Sequence, residues 1–175
     1  MGKTTFSGPV VSLGGFNPVG YNNEVNVASG ITALSLTAAD HGGRLIMLQD
    51  AALDITLPSI VTTEPEDKTN PGQLCNLGLT FSIYFSVAAT AISLDTDGTD
   101  QFCGAIQIRT EAVNAAGESA TFFADGADVS IDCNGGTKGG IEGSYLEVIA
   151  TTDGWFCSKS MLLTGAVTPA TPFGT

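Results

Sequence analysis

The stretch that decides the fold is LTAADHGGRLIMLQDAALDITLPSI, residues 36–60. It holds a turn cluster, DHGG at residues 40–43, then a short apolar run at residues 44–49 and a second break at residues 50–54. A last apolar pair ends at Pro58, which has no amide hydrogen to give to a strand ladder. Short apolar runs between turn residues are typical of β-strands. The stretch therefore predicts two short strands joined as a hairpin, with a structural role.

The rest of the chain continues the pattern of short strands and turns. Within residues 77–87, apolar Leu79, Phe81 and Ile83 alternate with small or polar residues, which predicts a half-buried strand. The same alternation argues against a membrane helix in the uncharged residues 74–94, whose flanks also lack a Lys/Arg bias. Other strands are predicted at residues 31–36, 91–94, 101–110 (with a bulge at Gly104), 121–124, 129–133, 145–151 and 155–161.

Turn chemistry gives the connections. Thr152-Asp153-Gly154 is the strongest hairpin signal, and residues 125–128 give a second hairpin between the strands at 121–124 and 129–133. Residues 61–72 predict a solvated loop, and only residues 112–119 favour a helical turn. No internal repeat is evident. These elements predict an all-β protein, a single β-sandwich or jelly-roll-like domain.

The ends of the chain differ from its middle. Residues 1–30 are interrupted by Gly-Pro, Gly-Gly, Asn-Pro and Asn-Asn pairs, so we expect an extended N-terminal arm that cannot pack on itself. Residues 162–175 are rich in Pro, Thr and Gly and predict a C-terminal tail. The sandwich domain is expected over residues 31–161.

Composition limits the partners. Eighteen acidic and six basic residues among 175 give a net charge of −12, and a surface of that sign disfavours direct binding of nucleic acid. Residues 1–5 lead into polar sequence without the apolar segment of a targeting signal. We therefore expect synthesis in a cytosol and no membrane partner.

Candidate sites have a structural interpretation that outweighs the chemical one. Residues 95–100 carry three carboxylates around Gly98 and could offer oxygen ligands to Ca²⁺, but they lack the EF-hand order and suit a solvated turn better. The glycine-rich residues 133–140 lack the order of a phosphate loop and predict a hairpin tip. His41 has no second His for a metal site and no neighbouring nucleophile, so an exposed turn residue is favoured and no cofactor is expected.

Aromatic and thiol side chains leave alternatives open. Trp155 and Phe156 could form a sugar-binding platform, although an aromatic residue after an Asp-Gly turn more often packs across its own hairpin. Cys75, Cys103 and Cys157, together with Cys133, have no zinc-knuckle spacing and suit free thiols; one or two disulfides stay open as the alternative.

The order of the motifs resembles a family of small tailed-phage virion proteins that decorate heads. The resemblance rests on Leu36-Thr37, the Asp-x-Gly turn at residues 40–42, the Thr-Leu-Pro at residues 56–58, and later GSYLEV at 143–148 and TDGWF at 152–156. It covers about residues 35–161 and implies a β-sandwich without enzymatic activity that binds the major capsid protein on the assembled head as a homotrimer.

The family resemblance also gives the arm a role and the protein a location. It implies capsid or subunit contact by the start of the arm, that is, by Thr5, Phe6, Ser7, Gly8, Pro9 and Val10. The location implied is the virion surface. The alternative function is a tail-fibre or spike module that binds host glycan, and a glycan hydrolase is a more distant third.

Overall fold

The computed structural model describes residues 24–63, 75–110, 118–152, 154–165 and 168–175. Within them lie twelve strands in two sheets and one short helix, α1 (Ala38–His41). The strands are β1 (Glu24–Val27), β2 (Ala33–Ser35), β3 (Leu45–Leu48), β4 (Ala52–Thr56), β5 (Thr80–Phe85), β6 (Ala91–Asp95), β7 (Gln101–Thr110), β8 (Ser119–Phe123), β9 (Ser130–Cys133), β10 (Tyr145–Ala150), β11 (Trp155–Thr164) and β12 (Phe173–Gly174). The predicted all-β sandwich is confirmed.

The two sheets differ in size and share one core. The seven-stranded sheet has the order β1-β3-β5-β10-β11-β7-β8, and the five-stranded sheet has the order β12-β9-β6-β4-β2. One cluster of buried side chains draws on both sheets, and its largest members are Phe81, Phe85, Phe102 and Phe156, each fully buried. Burial of each such ring contributes about 1.5–3 kcal/mol to folding.

The first six strands form a coil, because successive strands alternate between the sheets. β1, β3 and β5 are neighbours in the larger sheet, β2, β4 and β6 are neighbours in the smaller one, and all four pairings are parallel. Glu24 pairs with Leu45, and Ala33 pairs with Asp54. Over the first turn of the coil, pairing residues are therefore 21 positions apart along the chain in both sheets. The fold therefore has a structural repeat here that the sequence does not reveal.

The predicted hairpin in residues 36–60 is wrong. β3 and β4 belong to different sheets, so the chain at residues 49–51 crosses the sandwich instead of reversing within one sheet. Ile46 and Leu48 of β3 and Leu53 and Ile55 of β4 are all buried and belong to the one core between the sheets. The arrangement buries both apolar faces, whereas a hairpin alone would leave its apolar face uncovered.

The turn cluster at residues 40–43 is also different from the prediction. Residues 38–41 form α1, and Thr37 caps it because its hydroxyl oxygen accepts a hydrogen bond from the Asp40 amide at 3.1 Å. Such a cap satisfies one of the free amides at a helix start. The chain then enters β3 through Gly43, whose φ is +67°.

The second predicted hairpin is wrong for the same reason, and the third is confirmed. β8 lies in the larger sheet and β9 in the smaller one, so residues 125–128 connect two sheets. β10 and β11 pair antiparallel on either side of residues 152–154. Gly154 has a φ of +82°, as a tight turn requires, and Asp153 lies outside the described residues.

The predicted strand at residues 77–87 is confirmed as β5, in which alternate side chains are fully buried. The loop predicted at 61–72 lies largely outside the described residues, but the buried Asn76 beyond it bonds to the chain at its start. Its side-chain oxygen accepts from the Val61 amide at 2.8 Å, and its amide group donates to the Ser59 carbonyl at 2.9 Å. An insertion in the second turn of the coil is thereby tied back to the sandwich.

The boundaries of the sandwich extend beyond residues 31–161. β1 falls within the predicted arm, pairs with β3 and buries Val27. At the other end, β11 runs on to Thr164, and β12 pairs with β9 and buries Phe173. Five of the residues predicted to form the tail, 162–164 and 173–174, therefore belong to the sheets. Residues 1–23 of the predicted arm and most of the predicted helical turn at 112–119 lie outside the described residues.

Candidate functional site

The outward surface of the seven-stranded sheet carries a row of methionine and tyrosine side chains. Met47 pairs with Tyr84, Tyr84 with Tyr145, and Tyr145 with Met161, so the four lie side by side across β3, β5, β10 and β11. The residues on both sides of Met47, Tyr84 and Tyr145 are buried, as is Leu162 after Met161, and alternation therefore directs these four side chains away from the core. Met161 is 44% exposed and the other three are half-buried. We call these four residues the Met–Tyr row.

A polar group adjoins the Met–Tyr row. The Tyr145 hydroxyl donates to Glu147 Oε2 at 2.7 Å, and the Ser82 hydroxyl donates to the same oxygen at 3.3 Å. Partial burial, with Glu147 adding to it, raises the pKa of the Tyr145 phenol above its ordinary value. The phenol therefore stays protonated near neutral pH, and its one proton is held by Glu147.

The same surface ends in an exposed aromatic residue. Phe123 lies opposite Ala105 on β8, the edge strand of the sheet, and 73% of its surface is exposed. An exposed Phe on an edge strand adds to the apolar area that water covers in the isolated subunit. Together with the Met–Tyr row it makes this sheet face the clearest candidate for a binding surface.

In residues 95–100, the carboxylates of Asp97 and Asp100 accept hydrogen bonds from their own loop and from the chain after β4. Asp97 Oδ1 accepts from the amides of Thr99 and Asp100, and Asp97 Oδ2 accepts from the Ser59 hydroxyl at 2.6 Å. Asp100 Oδ2 accepts from the Ile60 amide at 2.8 Å. These bonds tie the β6–β7 connection to the end of β4, and they account for the carboxylates as structural groups.

The opposite face of the molecule has an acidic cleft of about 310 Å³ on the five-stranded sheet. Asp54, Ser93 and Asp132 lie in register across its floor, and Lys138 Nζ contacts Asp132 at 2.6 Å. Burial raises the pKa of the adjoining Asp95, the Ser93 hydroxyl opposes that shift, and the charges of Asp132 and Asp54 add to it. In the described part of the chain no group of three or more His, Cys, Asp or Glu residues is arranged to hold a metal ion.

The other candidate site residues from the sequence analysis lie in separate parts of the fold. The His41 ring accepts the Thr37 amide through Nδ1 at 2.9 Å, at the end of α1. The glycine-rich residues 133–140 connect β9 to the other sheet and so are not a hairpin tip, and Asn134 Oδ1 accepts from the amides of Gly136 and Lys138 there. Phe156 is fully buried against Phe102, which removes it from the predicted sugar platform, whereas Trp155 is half-buried beside Gly126.

The four cysteines are free thiols in three settings. Cys133 is buried in the core, where burial raises its thiol pKa to about 12. Cys75 lies near the mouth of the insertion and donates weakly to the Thr62 carbonyl at 3.6 Å. Cys103 and Cys157 are direct neighbours on β7 and β11 and form a hydrogen bond with each other.

The candidate binding surface and the cysteine pair are the features that sequence reasoning missed. The Met–Tyr row collects residues from 47 to 161, and only the alternation within β5 gave a signal, since it placed Tyr84 opposite the core. The predicted contact residues Thr5, Phe6, Ser7, Gly8, Pro9 and Val10 lie outside the described residues.

Scans against protein-family models, curated proteins and solved structures found no match to this chain. In the described residues, no helix is long and apolar enough to cross a membrane.

Proposed function

We propose that this protein is a non-enzymatic virion protein that decorates the assembled head of a tailed phage and stabilises it. The observation that supports a binding role is the Met–Tyr row, an apolar strip on the face of a sheet in a chain of net charge −12. The head as the partner comes from the resemblance in the order of motifs over residues 35–161.

The Met–Tyr row has the chemistry of a protein-binding surface. Aromatic residues and methionine are enriched at the centres of protein interfaces, and tyrosine is frequent among the residues whose truncation costs most affinity. Tyr145 also offers a polar tip, because its hydroxyl is already oriented by Glu147. An apolar centre with an adjoining polar group suits docking on a folded protein surface.

Stabilisation of a shell follows from mass action. A protein that binds the assembled lattice of the major capsid protein, and binds free subunits less well, shifts the equilibrium towards the lattice by its difference in affinity. Stabilisation by binding needs no cofactor and no catalytic group. The acidic surface is consistent with a partner other than nucleic acid.

A homotrimer is part of the proposal, with the virion surface as the location after synthesis in the host cytoplasm. The exposed Phe123 on edge strand β8 is the candidate subunit contact, because it would gain by burial against a second copy. Sedimentation equilibrium of the purified protein measures this, and a monomer at micromolar concentration would contradict a free trimer.

The N-terminal arm is proposed as a second anchor. Phe6 and Val10, with Val11, Leu13 and Phe16, are apolar residues in a Gly- and Pro-rich sequence. Ordering backbone costs about 1–2 kcal/mol per residue, so such a segment is fixed only where apolar anchors and hydrogen bonds act together on a partner. Thr5 to Val10 would supply that contact on the capsid or on a neighbouring subunit.

The test is cosedimentation of the purified protein with undecorated heads of the phage that encodes it. Met161→Glu places a charge in the Met–Tyr row and is expected to weaken binding by about tenfold or more, the size of a hot-spot loss. Ala52→Glu adds the same charge at an exposed site on the other sheet and serves as the matched control. Wild-type binding by Met161→Glu would exclude this face as the docking surface.

A deletion of residues 1–9 separates the two anchors in the same assay. Loss of binding in the deletion alone would assign docking to the arm, and loss in both variants would assign it to the arm and the Met–Tyr row together. Binding by neither variant nor the wild-type protein would exclude decoration.

The second candidate function is glycan binding by a tail-fibre or spike module. It is favoured by Tyr84 and Tyr145 beside the Glu147 carboxylate, since sugar sites combine an aromatic face with polar groups that bind hydroxyls. Binding of host surface polysaccharide that is lost in Tyr84→Ala, with no binding to heads, would favour this function over decoration.

A further inference from the structure

The two neighbouring cysteines of the seven-stranded sheet lie in a geometry that permits a covalent bond. β7 and β11 run parallel from Gln101 and Trp155 onwards, and Cys103 pairs directly with Cys157. Paired strands lie roughly 4.7–4.9 Å apart. That spacing falls within the Cα separation of about 4.4–6.8 Å that a disulfide needs.

The directions of the side chains fit as well as the backbone spacing. Phe102 and Phe156, the residues just before the two cysteines, are fully buried, and their ring centroids lie 6.3 Å apart in the core. Alternation directs both cysteines to the opposite side of the sheet. The two thiols hydrogen-bond to each other, so no other side chain separates the sulfur atoms.

Molecules in solution have partial access to the thiols of Cys103 and Cys157. Both Cys103 and Cys157 are half-buried, whereas Cys133 is buried in the core at 1% exposure. A small disulfide in solution can therefore reach the pair from the outward side of the sheet, but it cannot reach Cys133 without unfolding.

We propose that Cys103 and Cys157 are a modification site, a thiol pair that closes to a cross-strand disulfide when the protein meets a low-molecular-weight disulfide such as oxidised glutathione. The thiolate of one cysteine attacks glutathione disulfide and expels one glutathione thiolate, which takes up a proton. The second thiolate attacks the protein sulfur of the mixed disulfide and expels the second glutathione. The protein loses two protons and two electrons, and glutathione disulfide is reduced to two thiols.

The reaction is expected to be slow at neutral pH. Partial burial, with Cys157 beside it, raises the thiol pKa of Cys103 to about 11, and only the thiolate attacks a disulfide. Attack by Cys103 should therefore become faster as pH rises from 7 towards that value. The protein would stay reduced in a cytosol that keeps thiols reduced and would close the bond slowly outside it.

The experiment uses the full chain with Cys75→Ser, which removes the thiol outside the strands. Reduced protein is incubated with oxidised glutathione at about pH 8.5, where thiolate is more abundant. Intact-mass analysis after alkylation should show the loss of two hydrogen atoms, and peptide mapping should join the peptides of Cys103 and Cys157. Adding Cys103→Ser or Cys157→Ser should prevent that loss of mass and leave a glutathione adduct on the remaining partner.

A melting curve gives a second readout. The oxidised protein should melt about 5–10 °C above the reduced form, since the bond closes a long loop in the unfolded chain. Oxidised Cys103→Ser should show no such rise. Separate stable glutathione adducts on Cys103 and Cys157, a bond that involves Cys133 instead, or two thiols that stay fully alkylatable under these conditions would overturn the proposal.

Discussion

The first six strands and the last six build the same two sheets by different routes. In the first half every neighbouring pair is parallel, and each connection crosses the sandwich. In the second half β10 and β11 form a true hairpin, and most pairings are antiparallel, with β7 and β11 as a parallel exception. In the coil, strand register is set by the number of residues in each turn of the coil. In the β10–β11 hairpin, register is set by the residues of the tight β-turn.

The difference has a consequence for stability. A coil strand pairs with strands from the preceding and following turns, so its hydrogen bonds depend on the whole coil. The two halves meet where β5 pairs with β10 and where β6 pairs with β9, and one core runs through both. We therefore expect the two halves to unfold together.

The largest effect should come from removing a core ring in either half. Phe81→Ala in β5 and Phe156→Ala in β11 each delete a fully buried ring, and each should cost about 3–5 kcal/mol of unfolding free energy. Urea unfolding followed by the fluorescence of Trp155, the only tryptophan, and by circular dichroism should give coincident transitions in both variants.

The milder Phe81→Leu and Phe156→Leu serve as second variants in case an alanine variant does not fold. Suppose that in a Phe81 variant the Trp155 fluorescence changes at the wild-type urea concentration, while the circular dichroism changes at a lower one. That result would contradict the expectation that the two halves unfold together. Such a result would make the coil a separate folding unit.

The next effect tests the parallel pairing inside the second half. Gly104 in β7 has a φ of +89°, and a Cβ there would lie 2.4 Å from the Ser158 carbonyl oxygen of β11. Gly104→Ala should therefore cost about 2–4 kcal/mol, from backbone strain and from separation of the two strands. Gly98 has a similar φ of +85° with nothing within 4 Å.

Gly98→Ala is the matched control, because it carries the backbone strain alone and should cost about 1–2 kcal/mol. Gly98 also lies in the link between the two halves. The two variants therefore compare a substitution in a turn with a substitution at a close contact between strands. Unfolding midpoints in urea measure both. Equal losses in the two variants would mean that the β7–β11 contact adjusts freely.

Local chemistry made part of this fold predictable. The alternation around Phe81 predicted β5, because a half-buried strand imposes a period of two on its own residues. The Asp-Gly turn before Trp155 predicted a hairpin, because positive φ at Gly154 is a local requirement. Both signals act over a few residues and need no information about distant strands.

Crossings between sheets gave the same local signal as hairpins and were therefore missed. Residues 49–51 and 125–128 are short polar breaks between strands, and nothing in them says whether the chain turns back or crosses the core. The parallel neighbours of Cys103 and Met47 are set by turn lengths over tens of residues. For this reason the Met–Tyr row and the cysteine pair could not be predicted from the sequence.

The smallest effect concerns the link between the halves, where two carboxyls have opposite pKa shifts. Burial raises the pKa of Asp95 above its ordinary value, with the Ser93 hydrogen bond acting against it. Burial alone would also raise the pKa of Asp97, but the Ser59 hydroxyl and the amides of Asp100 and Thr99 outweigh it, and that pKa is lowered.

The signs of these shifts give opposite dependences on pH. A raised folded-state pKa gives stability that is full below the unfolded pKa of about 3.9 and is lost as pH rises through the raised value, so ionised Asp95 weakens the fold at pH 7. A lowered pKa gives stability that is present above about pH 3.9 and is lost as pH falls through the lowered value, so ionised Asp97 strengthens it. Asp95→Asn should therefore raise the melting temperature at pH 7, and Asp97→Asn should lower it.

Both changes should stay below about 1 kcal/mol, because solvent screens carboxyls that are mostly accessible. Melting curves between about pH 3 and pH 7 should show the gain of Asp95→Asn and the loss of Asp97→Asn shrinking together as the wild-type carboxyls become protonated. Shifts of the same sign at pH 7 would mean that the link responds to total charge. Opposite signs would support the view that hydrogen bonds to Asp97 hold the β6–β7 connection against Ser59, just after β4, where the coil passes into the second half.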